Sequence, residues 1–352
     1  MFALDELQYY PVNWVDGMRI AAKDFAATDD AWQDALRDVR ASIFQGVQYG
    51  LLPALRDRRE TSNYPKFRYE QSKSLLTLLE CRAITEGGYR IEITENLHRE
   101  FKVPAVLPSA KIQNVEDFEV YITVEMFEKQ AAGKQAESAP PRRLLVAPLY
   151  ELSVLPKGVG LSGMNHLKIA EFRTSRQGLV QDEGFIPPCL TLSAHQKLRE
   201  RYDNAGSLLK LLYDNGLKLV CQYRADARPS VRDATAWVEK WVLFIGGNLW
   251  TYNEVLPNQS PAQTLIYFKN LAQFTLTALD MHETNDFLKE AAASQRSLLK
   301  AIADPNFNED NLKAAFDGID EFLNGLLRWR EALAESFKQG RVIRVDEIKN
   351  WR

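Results

Sequence analysis

Two hydrophobic rhythms divide this chain. From about Phe67 to Phe172 apolar and polar residues alternate with period two. Tyr89-Arg90-Ile91-Glu92-Ile93-Thr94 alternates just after Gly87-Gly88, and the run from Phe118 to Phe127 alternates over its whole length. Leu149 to Leu155 and His166 to Phe172 are further runs of the same kind, and Ser74 to Glu80 is a short apolar run. Alternation buries one face of a strand and leaves the other wet, the signature of antiparallel sheets. Several such strands separated by loops predict a sandwich-like β domain.

Ahead of the strands, Trp14-Val15-Asp16-Gly17-Met18 reads as a turn. After Asp29-Asp30 the spacing becomes helical, with Trp32, Leu36, Val39, Ile43 and Phe44 on one stripe. Asp30 is placed to cap this helix, and Gly50 and Pro53 end it. The segment from Ala131 to Arg143 has almost no bulky apolar residue and is expected to be a long mobile loop. Val103 to Pro108 should be extended, because Pro104 and Pro108 disfavour helix before them.

At Phe185-Ile186-Pro187-Pro188-Cys189-Leu190 the alternation stops. A helical pattern begins at Ser193 with Leu198, Tyr202, Ala205, Leu209 and Leu212. A second helix is expected from Val231 to Tyr252 and a third after Pro261. Further helices are expected over Glu283 to Ala303 and Asp310 to Gln339. Long helices with short connections predict an antiparallel bundle. The fold class is thus α+β and multi-domain: a β-sandwich-like domain with an N-terminal arm and helix over 1–186, a helical bundle over 187–338, and a tail over 339–352.

Composition narrows the function. Of 352 residues, 44 are Lys or Arg and 47 are Asp or Glu, a net charge of -3. No basic excess suits a phosphate backbone, so nucleic acid is not an expected partner. Cys81, Cys189 and Cys221 are widely spaced and odd in number, which suggests neither a disulfide framework nor a zinc site. The first eleven residues lack the cationic start and apolar core of a signal peptide. The longest apolar run, Trp241 to Ile245, is far short of the roughly 20 residues that span a bilayer. A cytoplasmic protein without membrane insertion is expected.

The chemistry-bearing motifs are missing. There is no GxGxxG, no GxxxxGK[ST], no HExxH and no GxSxG. His98, His166, His195 and His282 stand apart in sequence. Asp29-Asp30 and Glu309-Asp310 read as helix starts, where carboxylates meet the positive end of the helix dipole. No catalytic, cofactor or metal site is expected, and the chain is not expected to be an enzyme.

The aromatic residues offer two readings. Trp237, Trp241, Trp250 and Tyr252 fall on one helix, which suits a core or a protein–protein interface. A small bundle has more apolar surface than one core needs, so self-association is plausible. Trp237, Trp241 and Phe244 are therefore candidate interface residues, as are Trp14, Met18 and Phe25 in the aromatic N-terminal arm. For the arm, closing its own β domain is the competing reading.

Several stretches together resemble one family. Trp14-x-x-Gly17-Met18-x-Ile20, then Phe25 and Asp29, resembles the opening of the TssK family of type VI secretion baseplate subunits. Tyr49-Gly50-Leu51-Leu52-Pro53 and Phe185 to Leu190 are similar to its aromatic-Gly stretch and to its junction between β domain and helices. Asn248-Leu249, the segment Ser260 to Ala272, and Asn306 to Leu312 followed by Phe316 resemble its later segments. The resemblance spans Trp14 to Leu327 and rests on order and spacing.

The resemblance implies a β shoulder, a helical neck and assembly as a homotrimer. It implies docking through the shoulder on a wedge of TssF and TssG, without catalysis. The family also has a C-terminal head that contacts the membrane complex. Only Gly340 to Arg352 follows the last helix, far fewer than the order of 100 residues a separate core needs. The head is expected to be absent, as in the divergent systems of Bacteroidetes. Contact with membrane-complex proteins would then use another surface or another protein, and Arg341 to Val345 would form a strand or an arm. A contractile-phage tail receptor-binding or baseplate protein is the alternative, separable by genomic neighbours.

Overall fold

The structure, a computed structural model, describes residues 4–44, 48–54, 64–94, 103–106, 117–137, 143–175, 178–282, 285, 287–288, 296, 311–343 and 347. They form two compact units, Met1–Gln196 and Lys197–Arg352.

The first unit is built on one long strand. Strand β3 (Leu75–Ile84) pairs antiparallel with β2 (Lys66–Glu70) and β5 (Val103–Val106) along its first half. Its second half pairs with β1 (Gly50–Leu51) and β4 (Arg90–Ile93). Leu76, Leu78, Cys81 and Ala83 of β3 are buried, together with Ile91 and Ile93 of β4. A second antiparallel sheet has the order β7 (Arg143–Pro156), β6 (Asp117–Gln135), β8 (His166–Ser175), β9 (Gly178–Gln181). Val120, Ile122 and Val124 of β6 and Leu167 and Ile169 of β8 form its buried face. Phe67 meets Phe172 edge-on at 5.5 Å between ring centroids. The Tyr150 hydroxyl accepts from the Glu92 N–H at 3.2 Å. Both contacts tie one sheet to the other. Burial pushes the Tyr150 phenol up to about 12.

Two expectations about this unit are corrected. Strand β6 does not stop at Phe127. Ala131 pairs with Val146, Ala132 with Leu145 and Gln135 with Arg143, so the first five residues of the expected loop continue the strand. Cross-strand pairing with Leu145 and Val146 supplies what the alanine-rich stretch lacks by itself, and Ala132 is fully buried. The first helix, α1 (Ala22–Phe44), begins eight residues before Asp30. Asp24, in the first turn, reaches back to accept from the Ala21 N–H at 2.8 Å, so the side chain that satisfies the helix start is Asp24 and not Asp30. Asp30 sits inside the helix and pairs with Lys129.

The second unit is helical: α2 (Gln196–Tyr223), α3 (Pro229–Trp250), α4 (Pro261–Asp280) and α5 (Leu312–Gln339). Pro229 and Pro261 each stand in the first turn of their helix, where a missing N–H costs nothing. Asn311 caps α5 by accepting from the Ala314 N–H at 3.3 Å. Trp237 of α3 is the hub. Its ring meets Trp329 of α5 at 4.2 Å, and its indole N–H donates to the Thr275 carbonyl of α4 at 3.2 Å. Arg201 and Asn204 of α2 reach Asp317 and Asp320 of α5. The expected helix over Glu283 to Ala303 and the segment Asp304 to Asp310 lie outside the described residues, but for 285, 287–288 and 296. In the tail, Ile343 is buried and its N–H donates to the Ser336 hydroxyl at 2.9 Å. Residues 341–343 form neither the expected strand nor a free arm, since this bond folds them back onto α5.

Candidate protein interface

Helix α1 has two faces of opposite character. Its inner face carries Ala31, Asp34, Arg37 and Ala41, all buried. Asp34 is 0% and Arg37 1% exposed, and their side chains pair at 2.7 Å. An isolated charge so placed would be strongly disfavoured, and the pair needs further hydrogen bonds to be tolerated. The N-terminal arm supplies them. Asp34 accepts from the backbone N–H groups of Gln8 and Tyr9, and Arg37 donates to the carbonyls of Asp5 and Glu6 at 3.3 and 3.2 Å. The Tyr9 ring then meets Phe127 on β6 at 4.2 Å. One buried ion pair thus fastens the arm to the helix.

The same helix face presses on the β3–β4 turn. Arg37 lies over the Tyr89 ring at 5.5 Å, and Arg40 donates to the Gly88 carbonyl at 3.4 Å. Gly88 has φ +81°, and a Cβ there would collide with the Arg37 carbonyl and the Ala41 amide. Only glycine lets α1 come so close.

The outer face is apolar and bare. Phe25, Trp32, Leu36, Val39 and Ile43 are all exposed, Trp32 by 68%. The apolar stripe read from the sequence therefore faces outward. The reason is that the arm and the turn demand polar and small residues beneath the helix, which leaves the large apolar ones outside. The Phe44 side chain lies outside the described residues. Contiguous exposed apolar surface of this kind marks interaction sites.

Of the arm candidates, Trp14 and Phe25 come together, at 6.3 Å between ring centroids, and both are exposed. Met18 is half-buried in the turn closed by its N–H and the Val15 carbonyl at 3.2 Å. Val15 and Ile20 extend the exposed surface. The bundle candidates divide. Trp237 and Trp241, at 1% and 0% exposure, are interior to their own unit and present no surface, which corrects their reading as interface residues. Their rings fill the space where α2 to α5 meet. Phe244 is half-buried, between Tyr267 at 5.9 Å and Phe274 at 5.4 Å. Leu243 and Trp250 of α3, Ile266 and Phe274 of α4, and Met281 just after α4 are exposed apolar residues of this unit. Sequence reasoning grouped Trp250 with the core tryptophans, yet it is 70% exposed.

Among the described residues no group of three His, Cys, Asp or Glu could hold a metal ion. Burial pushes the Cys81 thiol well above its usual range, which makes it a poor nucleophile. Burial likewise raises Tyr202, Tyr252 and Tyr267, whose rings pack inside the bundle. Among the described residues no helix is long and apolar enough to cross a membrane.

No family model matches the chain, and no curated protein matches it in sequence. Solved structures match it in fold. A crystal structure of TssK is 13% identical with a TM-score of 0.56, over 91% of this chain and 72% of that one. A chain of the TssK–TssF–TssG baseplate subcomplex of the type VI secretion system is 14% identical with a TM-score of 0.55, over 92% of this chain and 100% of that one. A chain of the type VI secretion baseplate complex is 16% identical with a TM-score of 0.59, over 91% and 99%. At such identity the likeness is one of fold: this α+β, two-unit chain has the fold of TssK.

Proposed function

We propose that this chain is a structural baseplate subunit of a type VI secretion system, working as a cytoplasmic homotrimeric adaptor on a wedge of TssF and TssG. The observation that carries the reading is the fold likeness over nine-tenths of the chain, 92% in the case of the TssK–TssF–TssG subcomplex. The likeness takes in both units and the order in which they follow one another.

The surfaces suit this role. In the first unit the outer face of α1 and the arm around Trp14 offer an apolar docking surface, the part that would meet the wedge. In the second unit Leu243 and Trp250 lie seven residues apart on α3, and Ile266 and Phe274 are exposed on α4 with Met281 just past its end. Burying these faces against two further copies would remove apolar area from water, worth about 25 cal/mol per Å² before the costs of association. The role is scaffolding, not catalysis.

Co-expression tests the reading. The tagged chain is produced with TssF and TssG proteins of a type VI secretion system and passed through size exclusion with light scattering. The expected product is a complex retaining all three proteins, with the chain alone running as a trimer. A chain that stays monomeric at micromolar concentration and retains neither partner contradicts the reading.

A further inference from the structure

The outer face of α1 has a rhythm more specific than amphipathicity. Phe25, Asp29, Trp32, Leu36, Val39 and Ile43 are spaced 4-3-4-3-4, and all six are exposed. A straight helix facing a globular core follows 3.6 residues per turn, whereas a strict alternation of three and four is the seam of a coiled coil. The seam runs the length of α1, about 27 Å at 1.5 Å per residue. The positions bordering it are Ala26, Thr28, Gln33, Ala35, Arg40 and Ser42. All but Arg40 are small or uncharged, and Arg40 is turned back to the Gly88 carbonyl. A second helix can therefore approach closely, and its choice rests on the one charged residue in the seam, Asp29.

From this geometry we infer that the outer seam of α1 docks an amphipathic helix of another protein, one that sets a Lys or Arg against Asp29. The inference deepens the baseplate reading and rests on it only for where the partner comes from. A second copy of this chain does not fit. Parallel self-pairing sets Asp29 against Asp29 in one layer, so two carboxylates would be buried together. Antiparallel self-pairing about the seam's midpoint sets Asp29 against Val39 and buries a lone carboxylate. An uncompensated buried charge is strongly destabilising in either case. A cation in the partner satisfies the carboxylate and fixes the register, as single polar seam residues do in coiled coils.

Synthetic peptides test this on the full-length chain. Four fluorescent 21-residue helical peptides carry a six-layer Leu/Ile seam. Two place a Lys in the second or the fifth layer, covering parallel and antiparallel docking, and two place a Glu there. Fluorescence anisotropy is expected to show one Lys peptide binding at least tenfold tighter than its Glu counterpart. Asp29→Lys should reverse the preference, and the double variant Trp32→Ser, Leu36→Ser should abolish binding with an unchanged circular dichroism spectrum. All these residues are exposed, so the variants keep the fold. Equal binding of Lys and Glu peptides, no binding by any of the four, or loss of oligomer mass in the double variant would overturn the inference. The last result would make a second copy the occupant. Because no wedge protein is used, failure here is distinguishable from failure of the co-expression experiment.

Discussion

The Leu51 N–H donates to the Pro188 carbonyl at 2.8 Å, and the Leu190 N–H returns a bond of 2.8 Å to the Leu51 carbonyl. A short parallel bridge thus joins β1 to the end of the first unit, Leu51 opposite Cys189. Gly50, with φ +119°, lies directly against the Pro188 backbone, and a Cβ there would overlap it. Tyr49-Gly50-Leu51-Leu52-Pro53 and Phe185 to Leu190 are far apart in sequence, yet they close one unit together.

Gly50→Ala should therefore destabilise the first unit. The left-handed φ and the clash with backbone together should cost at least ~1–3 kcal/mol. Urea unfolding followed by tryptophan fluorescence checks it. An unchanged midpoint would mean that the segment around Pro188 does not pack on β1.

Asp34→Ala should cost about 3–5 kcal/mol, because it leaves the buried Arg37 guanidinium without its counter-ion. The arm should come free as well, since Asp34 accepts the N–H groups of Gln8 and Tyr9. Limited proteolysis is expected to cut the variant within the first twenty residues before the body, a cut the wild type resists.

Core and surface tryptophans should behave differently. Trp237→Ala, at the hub of the bundle, is expected to cost about 3–5 kcal/mol. Trp250→Ser with Phe274→Ser removes exposed rings, so stability should change by only about 0.5 kcal/mol per site. That pair should instead dissociate the oligomer. Sedimentation velocity together with thermal unfolding separates the outcomes.

A pH effect is expected at the turn between α2 and α3. Asp226 accepts from the Arg228 backbone N–H and from its Nε and Nη2, each at 2.9 Å, and Arg228 also donates to the Phe337 carbonyl at 3.0 Å. Hydrogen bonding from Arg228 lowers the Asp226 carboxyl from 3.8 to about 2. The folded value lies below the unfolded one, so the contribution is fully present above 3.8 and fades as pH falls towards 2. The melting difference between wild type and Asp226→Asn, followed at 222 nm, should shrink over that window. A difference that does not change with pH would contradict it.

The fold was legible where one physical signal dominated. Strands β4, β6, β7 and β8 followed from alternation, β3 from a short apolar run, and α3 and α4 from 3–4 spacing, α4 with Pro261 at its start. The ribbon of β6 and β7 was not legible, because alanine, glycine and lysine around Ala131 hold a strand only through the opposing Leu145 and Val146. Helix α1 shows a different limit. Its large apolar stripe was visible, but which side it faced depended on Asp34 and Arg37, whose partners are backbone groups of residues 5–9. A charged pair three residues apart reads as a solvated face until that arm is in place. Of the interface candidates, Trp14 and Phe25 were named from the arm's aromatic content, and the structure shows both exposed. Trp250 and Trp237 could not be told apart on one helix without the positions of α4 and α5.

Hydrogen–deuterium exchange of the chain, with and without TssF and TssG proteins of a type VI secretion system, tests the central claim most directly. The claim predicts new protection in α1 and around Trp14, with the buried face of α3 unchanged. Protection confined to the second unit, or none anywhere, would contradict it.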